Sequence, residues 1–144
     1  MTDRIQISAH APEGYRKVGT LDAYIGSRLE PTLMNLVYLR ASLINGCTYC
    51  VDAHSVDLAA LVDVRKVFSV TTWRESTFYS VRERAALDLT ESITRIENGV
   101  SDEVWDAAAA VFDDKELADL VLAIGTINLW NRIAIPTRMP TSPL

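Results

Sequence analysis

Apolar positions recur with a helical period along nearly the whole chain. From Tyr15 to Leu29, the residues Val18, Leu21, Ile25 and Leu29 fall about one turn apart. Pro31 suits the first turn of a second helix, where its missing N–H costs little. Leu33, Leu36, Val37, Arg40, Leu43 and Ile44 share a face of that helix until Asn45-Gly46 breaks it. A third helix is predicted over Thr48 to Val62, with Val51, Leu58, Leu61 and Val62 as packing positions. Asp63 to Phe78 is less regular and reads as a short helix around Val64–Val70 followed by a loop through Trp73-Arg74-Glu75-Ser76. The next start is sharp, because Ser80-Val81-Arg82-Glu83 has the spacing of a capping box. Val81, Ala85, Ala86, Leu89, Ile93 and Ile96 then carry one apolar face to Asn98-Gly99. Ser101-Asp102-Glu103 opens another helix, with acids near its positive end and Val104, Ala107, Ala108 and Val111 as its face. Asp113 or Asp114 caps the last and most apolar helix, Lys115 to about Ile135, and Pro136 should stop it.

The pattern predicts an all-α fold, a compact single-domain bundle of about six or seven helices. Its helical core runs over 14–135, with arms at 1–13 and 136–144. The last helix is apolar on more than one side, which places it centrally or against another subunit, so a homo-oligomer is expected. Asp119, Asn128, Asn131 and Arg132 interrupt its apolar run, which reads as a core helix and not a membrane span. The residues before Ala11 hold no apolar stretch of the kind that leads a secreted chain, so a cytoplasmic location is expected.

Composition narrows the function classes. The 144 residues are 49% hydrophobic and 23% charged, an ordinary globular balance. The formal net charge of −5 argues against a nucleic-acid surface. No phosphate loop, dinucleotide fingerprint or metal-binding repeat is present, so neither a cofactor nor a metal is expected.

Chemistry concentrates in the only two cysteines. Cys47-Thr48-Tyr49-Cys50-Val51-Asp52-Ala53-His54 sets three reactive side chains at i, i+3 and i+7, within one stripe of a helix. The Asn45-Gly46 break puts the pair in the first turn, where free N–H groups and the helix dipole stabilise a thiolate. His54 lies one turn beyond Cys50 and can approach it more readily than Cys47. This describes a dithiol in which Cys50, activated by His54, attacks, and Cys47 resolves the product as a disulfide. Three blander readings stay open at this point, one of them that His54 is an ordinary helix-surface or core histidine. The thiols can be inert core residues, or the set can hold zinc, although a structural zinc site takes four ligands and the one other histidine, His10, lies in the N-terminal arm.

The run Leu39-Arg40-Ala41-Ser42-Leu43-Ile44-Asn45-Gly46-Cys47-Thr48-Tyr49-Cys50-Val51-Asp52-Ala53-His54 resembles the signature of the alkylhydroperoxidase D-like, or carboxymuconolactone decarboxylase, family. The likeness continues through Trp73-Arg74-Glu75, Ser80 to Ala86, and Ile127-Asn128-Leu129-Trp130-Asn131-Arg132. It implies an all-helical fold assembled as trimers or hexamers, with sites near subunit contacts. It also implies a hydroperoxide substrate and a thiol reductant, with Cys50 peroxidatic, Cys47 resolving and His54 in the proton relay.

One departure bears on that chemistry. Peroxidase members of the family carry a glutamate twelve residues before the first cysteine, and here that position is Asn35. An amide takes no proton at neutral pH, so the relay lacks its general base. Leu43 also stands where the family commonly has glutamine. The alternatives are a decarboxylase-like enzyme for a lactone acid, working through His54 without the thiols, or a weakly active redox-sensing oligomer. Away from the family, Asn35 reads as a solvated helix-surface residue. Arg40 reads as a buried ion-pair or hydrogen-bond anchor, Tyr49 equally as a residue at the site's mouth or a packing residue, and Asp52 and Asp57 as solvent-facing. Asn128, Asn131 and Arg132 are candidates for subunit contacts.

Overall fold

A computed structural model describes residues 4–144; the first three residues of the expected N-terminal arm lie outside the described residues. The described residues form eight α-helices and no strand. They are α1 (Ile7–His10), α2 (Pro12–Arg28), α3 (Pro31–Asn45), α4 (Thr48–Ala59), α5 (Val64–Phe68), α6 (Val81–Thr94), α7 (Asp102–Ala109) and α8 (Asp114–Thr137), with single 3₁₀ turns at Ser69–Thr72 and Ile96–Asn98. The all-α architecture follows the apolar periodicity. The capping box at Ser80 and Glu83 forms with both reciprocal bonds, and Asp113 makes a second one with Glu116 at the start of α8.

Both arms differ from expectation. Part of the N-terminal one is the single turn of α1, and α2 begins at Pro12, where the proline occupies the first helical position. At the other end α8 runs through Pro136 instead of stopping before it. The proline comes so near the end that few helical bonds remain to be lost. The Thr137 hydroxyl donates to the Ile133 carbonyl at 2.7 Å. The Arg138 and Met139 N–H groups fold back onto Ile135 and Ala134 at 3.2 and 3.0 Å, a Schellman-type closure with Arg138 left-handed at φ 56°.

Two clusters of buried side chains share α3. Leu33, Val37, Tyr38 and Ala41 join one with Ile25 of α2, Leu89 of α6 and Leu120, Ile124 and Ile127 of α8. Leu36 and Leu39, on the opposite side of α3, join Leu58, Val70, Trp73, Tyr79 and Leu87 in the other. The central helix is therefore α3 as much as α8. By length and composition α8 is apolar enough to cross a membrane, yet it packs against α2, α3, α4, α6 and α7. Its role as a core helix is thus as expected.

Polar side chains tie the bundle at two levels. Arg40 and Glu91, each about one-tenth exposed, meet at 2.8 Å across α3 and α6, which makes Arg40 the buried anchor that its position implied. The same carboxylate accepts from Trp73 Nε1 at 2.8 Å and from Arg74 at 3.0 Å. Arg84 donates to the carbonyls of Trp73, Arg74 and Ser76, so the loop read from the sequence is fixed from below. Burial works against the Glu91 charge, but the Trp73 bond and the Arg40 guanidinium outweigh it and hold the carboxyl below its usual range.

Candidate functional site

The site starts at the junction of α3 and α4. Gly46, at φ 72°, occupies the left-handed position that ends α3 and costs a side-chain-bearing residue about 1 kcal/mol or more. Its chain reversal lets the Cys47 N–H close onto the Ser42 carbonyl at 3.0 Å. Cys47 thereby becomes the N-cap of α4, and its sulfur accepts the Cys50 N–H at 3.4 Å. Both cysteines are buried, with Cα atoms 5.3 Å apart, and they are joined as a disulfide. That separation lies within the range a disulfide tolerates.

A polar cluster holds the junction in place. Asn45 Nδ2 donates to Asn128 Oδ1 and Asn131 Oδ1, both at 2.9 Å, and Asn131 Nδ2 donates to Ser42 Oγ at 3.1 Å. Asn128 also donates to Thr94 Oγ1 and accepts from Arg132. Asn128, Asn131 and Arg132 all bond within the chain, and Asn131 is fully buried while Arg132 stays exposed. Asn45 was legible as a helix breaker, but nothing local to it signalled that its amide fastens α3 to α8.

Cys50 and His54, one turn apart on α4, line one side of a cavity of about 210 Å³. Tyr15 and Asp22 of α2 face them, and Trp130 and Ala134 of α8 close the space with Met139. Cys47 lines a second cavity, of about 480 Å³, shared with Arg138 and Thr141. Tyr49 is two-fifths exposed and lines both cavities, as its expected place at the mouth requires. Asp52 and Asp57 face solvent.

Asn35 is not a solvated surface residue. It is 5% exposed, because α3 is covered on both sides. Its Nδ2 donates to the Pro31 carbonyl at 3.0 Å, which turns Oδ1 toward His54 Nδ1 at 3.1 Å. The ring must therefore carry a proton on Nδ1, and Nε2 is left as its basic atom. Burial lowers the basicity of His54, while Asp57 and Asp22 draw it partly back up. Tyr38 stands edge-on to the imidazole, with ring centres 4.9 Å apart at 86°.

The carboxymuconolactone decarboxylase family pattern matches residues 9–92, more than half of the chain. This chain belongs to the carboxymuconolactone decarboxylase family. Similarity extends beyond the matched segment. The chain is 36% identical over 138 residues to an uncharacterized protein of Bacillus subtilis strain 168, YdfG, with 94% of each chain covered. It is also 36% identical, at TM-score 0.94, to the crystal structure of an Agrobacterium tumefaciens protein of unknown function described as a candidate antioxidant-defence AhpD protein. That likeness covers 99% of this chain and all of the other. The debrominase Bmp8 shares the fold at TM-score 0.84 and 20% identity, over 93% of this chain and 74% of that one. Enzymes of more than one chemistry thus use this helical scaffold. The carboxymuconolactone decarboxylase fold here carries a Cys47–Cys50 pair beside a half-buried histidine.

Proposed function

We propose that this protein is a thiol-dependent peroxidase that reduces hydroperoxides through Cys50 and Cys47, assisted by His54. The observation that carries the reading is the placement of Cys50 and His54 on one cavity, with Cys47 close enough to close a disulfide. In the reduced protein, His54 Nε2 accepts the Cys50 proton, and the thiolate attacks the terminal peroxide oxygen. The O–O bond breaks, Cys50 becomes a sulfenic acid, and the leaving alkoxide takes a proton to depart as an alcohol. Cys47 then attacks the sulfenic sulfur, expelling water and forming the disulfide. An external thiol reductant returns the pair to two thiols, so one hydroperoxide is consumed per two thiols oxidised.

The start of α4 supports the thiolate, because Cys47 and Cys50 sit where free N–H groups and the dipole favour negative charge. The chain works as a homo-oligomer, a trimer or hexamer, in the reducing cytoplasm. Exposed Leu122 and Leu129 on α8 are consistent with a subunit contact. Asn35 favours one second reading, a slow redox sensor, because the residue bonded to His54 brings no charge to hold a proton.

Stopped-flow oxidation of the reduced protein by hydrogen peroxide and by an organic hydroperoxide, with thiols counted at the end, tests the reading. Two thiols should disappear per peroxide. Cys50→Ser should abolish the fast phase, and Cys47→Ser should stop at a trappable sulfenic acid. Oxidation no faster than that of a free thiol would overturn peroxidase function, and retained turnover of a non-peroxide substrate in the double Cys→Ser variant would point to the decarboxylase-like alternative.

A further inference from the structure

His54 must hold a proton while Cys50 attacks, yet its hydrogen-bond partner is a neutral amide and burial works against the charged ring. Asn35 accepts from Nδ1 in the neutral and the charged ring alike, but brings no negative charge. The groups that face His54 or share its cavity are Asn35 and Tyr38 from α3, Cys50, Tyr49 and Asp57 from α4, and Tyr15 and Asp22 from α2. The α8 side of the cavity offers Trp130 and Ala134, which carry no charge. Two carboxylates therefore compete for the role. Asp57 lies one turn along the same helix but is exposed to water, which screens its charge. Asp22 is partly buried and lines the same cavity as Cys50 and His54.

We infer that Asp22 is the carboxylate of the thiol site, stabilising protonated His54 across the cavity where the residue at position 35 cannot. The inference rests on the peroxidase reading, in which His54 takes the Cys50 proton. Asp22 acts through His54, so it is a positioning residue. Its own placement is built into the fold. Tyr38, fully buried, donates its hydroxyl to Asp22 Oδ1 at 2.8 Å while its ring edge meets the imidazole. Burial and the neighbouring Asp22 charge both push the Tyr38 hydroxyl well above its usual range, so it stays a donor at any working pH. One buried tyrosine thus fixes the carboxylate on α2 and the ring on α4 relative to each other. The hydrogen bond uses one of the two carboxylate oxygens, and the charge remains on the cavity wall.

The experiment has two arms. The first is an NMR titration of His54 in the oxidised protein, where the thiols do not ionise. Asp22→Asn, which preserves an acceptor for Tyr38, should lower the His54 pKa by about half a unit or more, and Asp57→Asn should lower it less. Asp22→Glu, which keeps the charge, should stay close to wild type. The second arm is stopped-flow oxidation of the reduced protein by hydrogen peroxide between pH 5 and 9. There Asp22→Asn should react about tenfold or more slowly, and Asn35→Asp in the same chain should restore the rate. An unchanged His54 titration in Asp22→Asn, or a larger shift in Asp57→Asn, overturns the inference. If peroxide does not oxidise the wild-type thiols, the peroxidase reading fails by itself, and the titration arm alone then decides whether Asp22 governs His54.

Discussion

Replacing Asn35 by aspartate puts a charge where the structure has a neutral oxygen, and the size of the effect can be worked from the geometry. The present Oδ1 lies 3.1 Å from His54 Nδ1. A carboxylate there would sit with its charge about 4 Å from that of the imidazolium, an attraction of about 4 kcal/mol at an effective dielectric constant of about 20. Two costs oppose it. Position 35 is only 5% exposed, so the new charge loses most of its water. The aspartate also cannot donate to the Pro31 carbonyl as Asn35 does, which costs about 1–3 kcal/mol of stability. The solvation loss removes part of the attraction, leaving about 1–3 kcal/mol in favour of protonated His54. That corresponds to a pKa rise of about 1–2 units. NMR titration of the oxidised protein measures the rise directly, and urea denaturation measures the lost Pro31 bond. Oxidation by hydrogen peroxide should accelerate about tenfold, and removal of Asp22 should then matter much less than in the wild type. A His54 pKa that stays put or falls would refute the reasoning, because it would mean that Asn35 Oδ1 does not set the environment of Nδ1.

Other perturbations report on the scaffold. Glu91→Gln leaves the guanidinium of Arg40 buried beside a neutral amide and should cost about 3–5 kcal/mol in a urea titration, while a double Arg40→Met, Glu91→Leu variant should lose less than that single change. Because burial lowers the pKa of His54, the unfolded chain takes up its proton first as pH falls. Stability should therefore be fully present above about pH 6.5 and decline as the pH drops from there toward the lower folded-state value. In His54→Gln this step of the pH dependence should disappear, as urea midpoints at pH 7 and pH 5 would show. Gly46→Ala forces a Cβ into the left-handed region and should lower stability by about 1 kcal/mol in thermal denaturation. The same change should slow closure of the disulfide, since the reversal at Gly46 is what presents Cys47 as the cap of α4.

Much of this fold was legible because helices announce themselves locally. The Ser80–Glu83 capping box, the Asn45-Gly46 stop and the period of apolar residues each depend on neighbours within a turn or two, so reading along the chain finds them. The ends were harder. Pro136 forbids a helical bond by its own chemistry, but whether a helix survives it depends on Thr137, Arg138 and Met139 closing the last turn over Ala134 and Ile135. The short helix α1 has no buried residue and no side-chain cap, so no sequence signal marks it. The central place of α3 was hidden for a different reason. Both of its faces are apolar, and periodicity locates only a single stripe.

The site divides along the same line. Cys50 and His54 lie one turn apart on α4 with Cys47 as its N-cap, and that local spacing alone puts the thiol and the ring on one cavity. Asp22, Tyr38 and Asn35 come from other parts of the chain, and only packing places them around the imidazole. Nothing local marks Tyr38, a tyrosine on an apolar helix, or Asp22, an aspartate on an amphipathic one, as part of a site. Their pairing at 2.8 Å follows from α2 packing against α3, which no local pattern encodes. Asn35 shows the limit from the opposite side. Its identity drew notice as a departure from the family, but its bond to His54 changes what that departure means. An amide held at 3.1 Å still orients the ring and leaves Nε2 basic, so what the site lacks at position 35 is charge and not geometry. Charge acts over longer distances than a hydrogen bond, and another element can supply it. A carboxylate missing from α3 is therefore a reason to look across the cavity to α2 before concluding that the thiols have lost their chemistry.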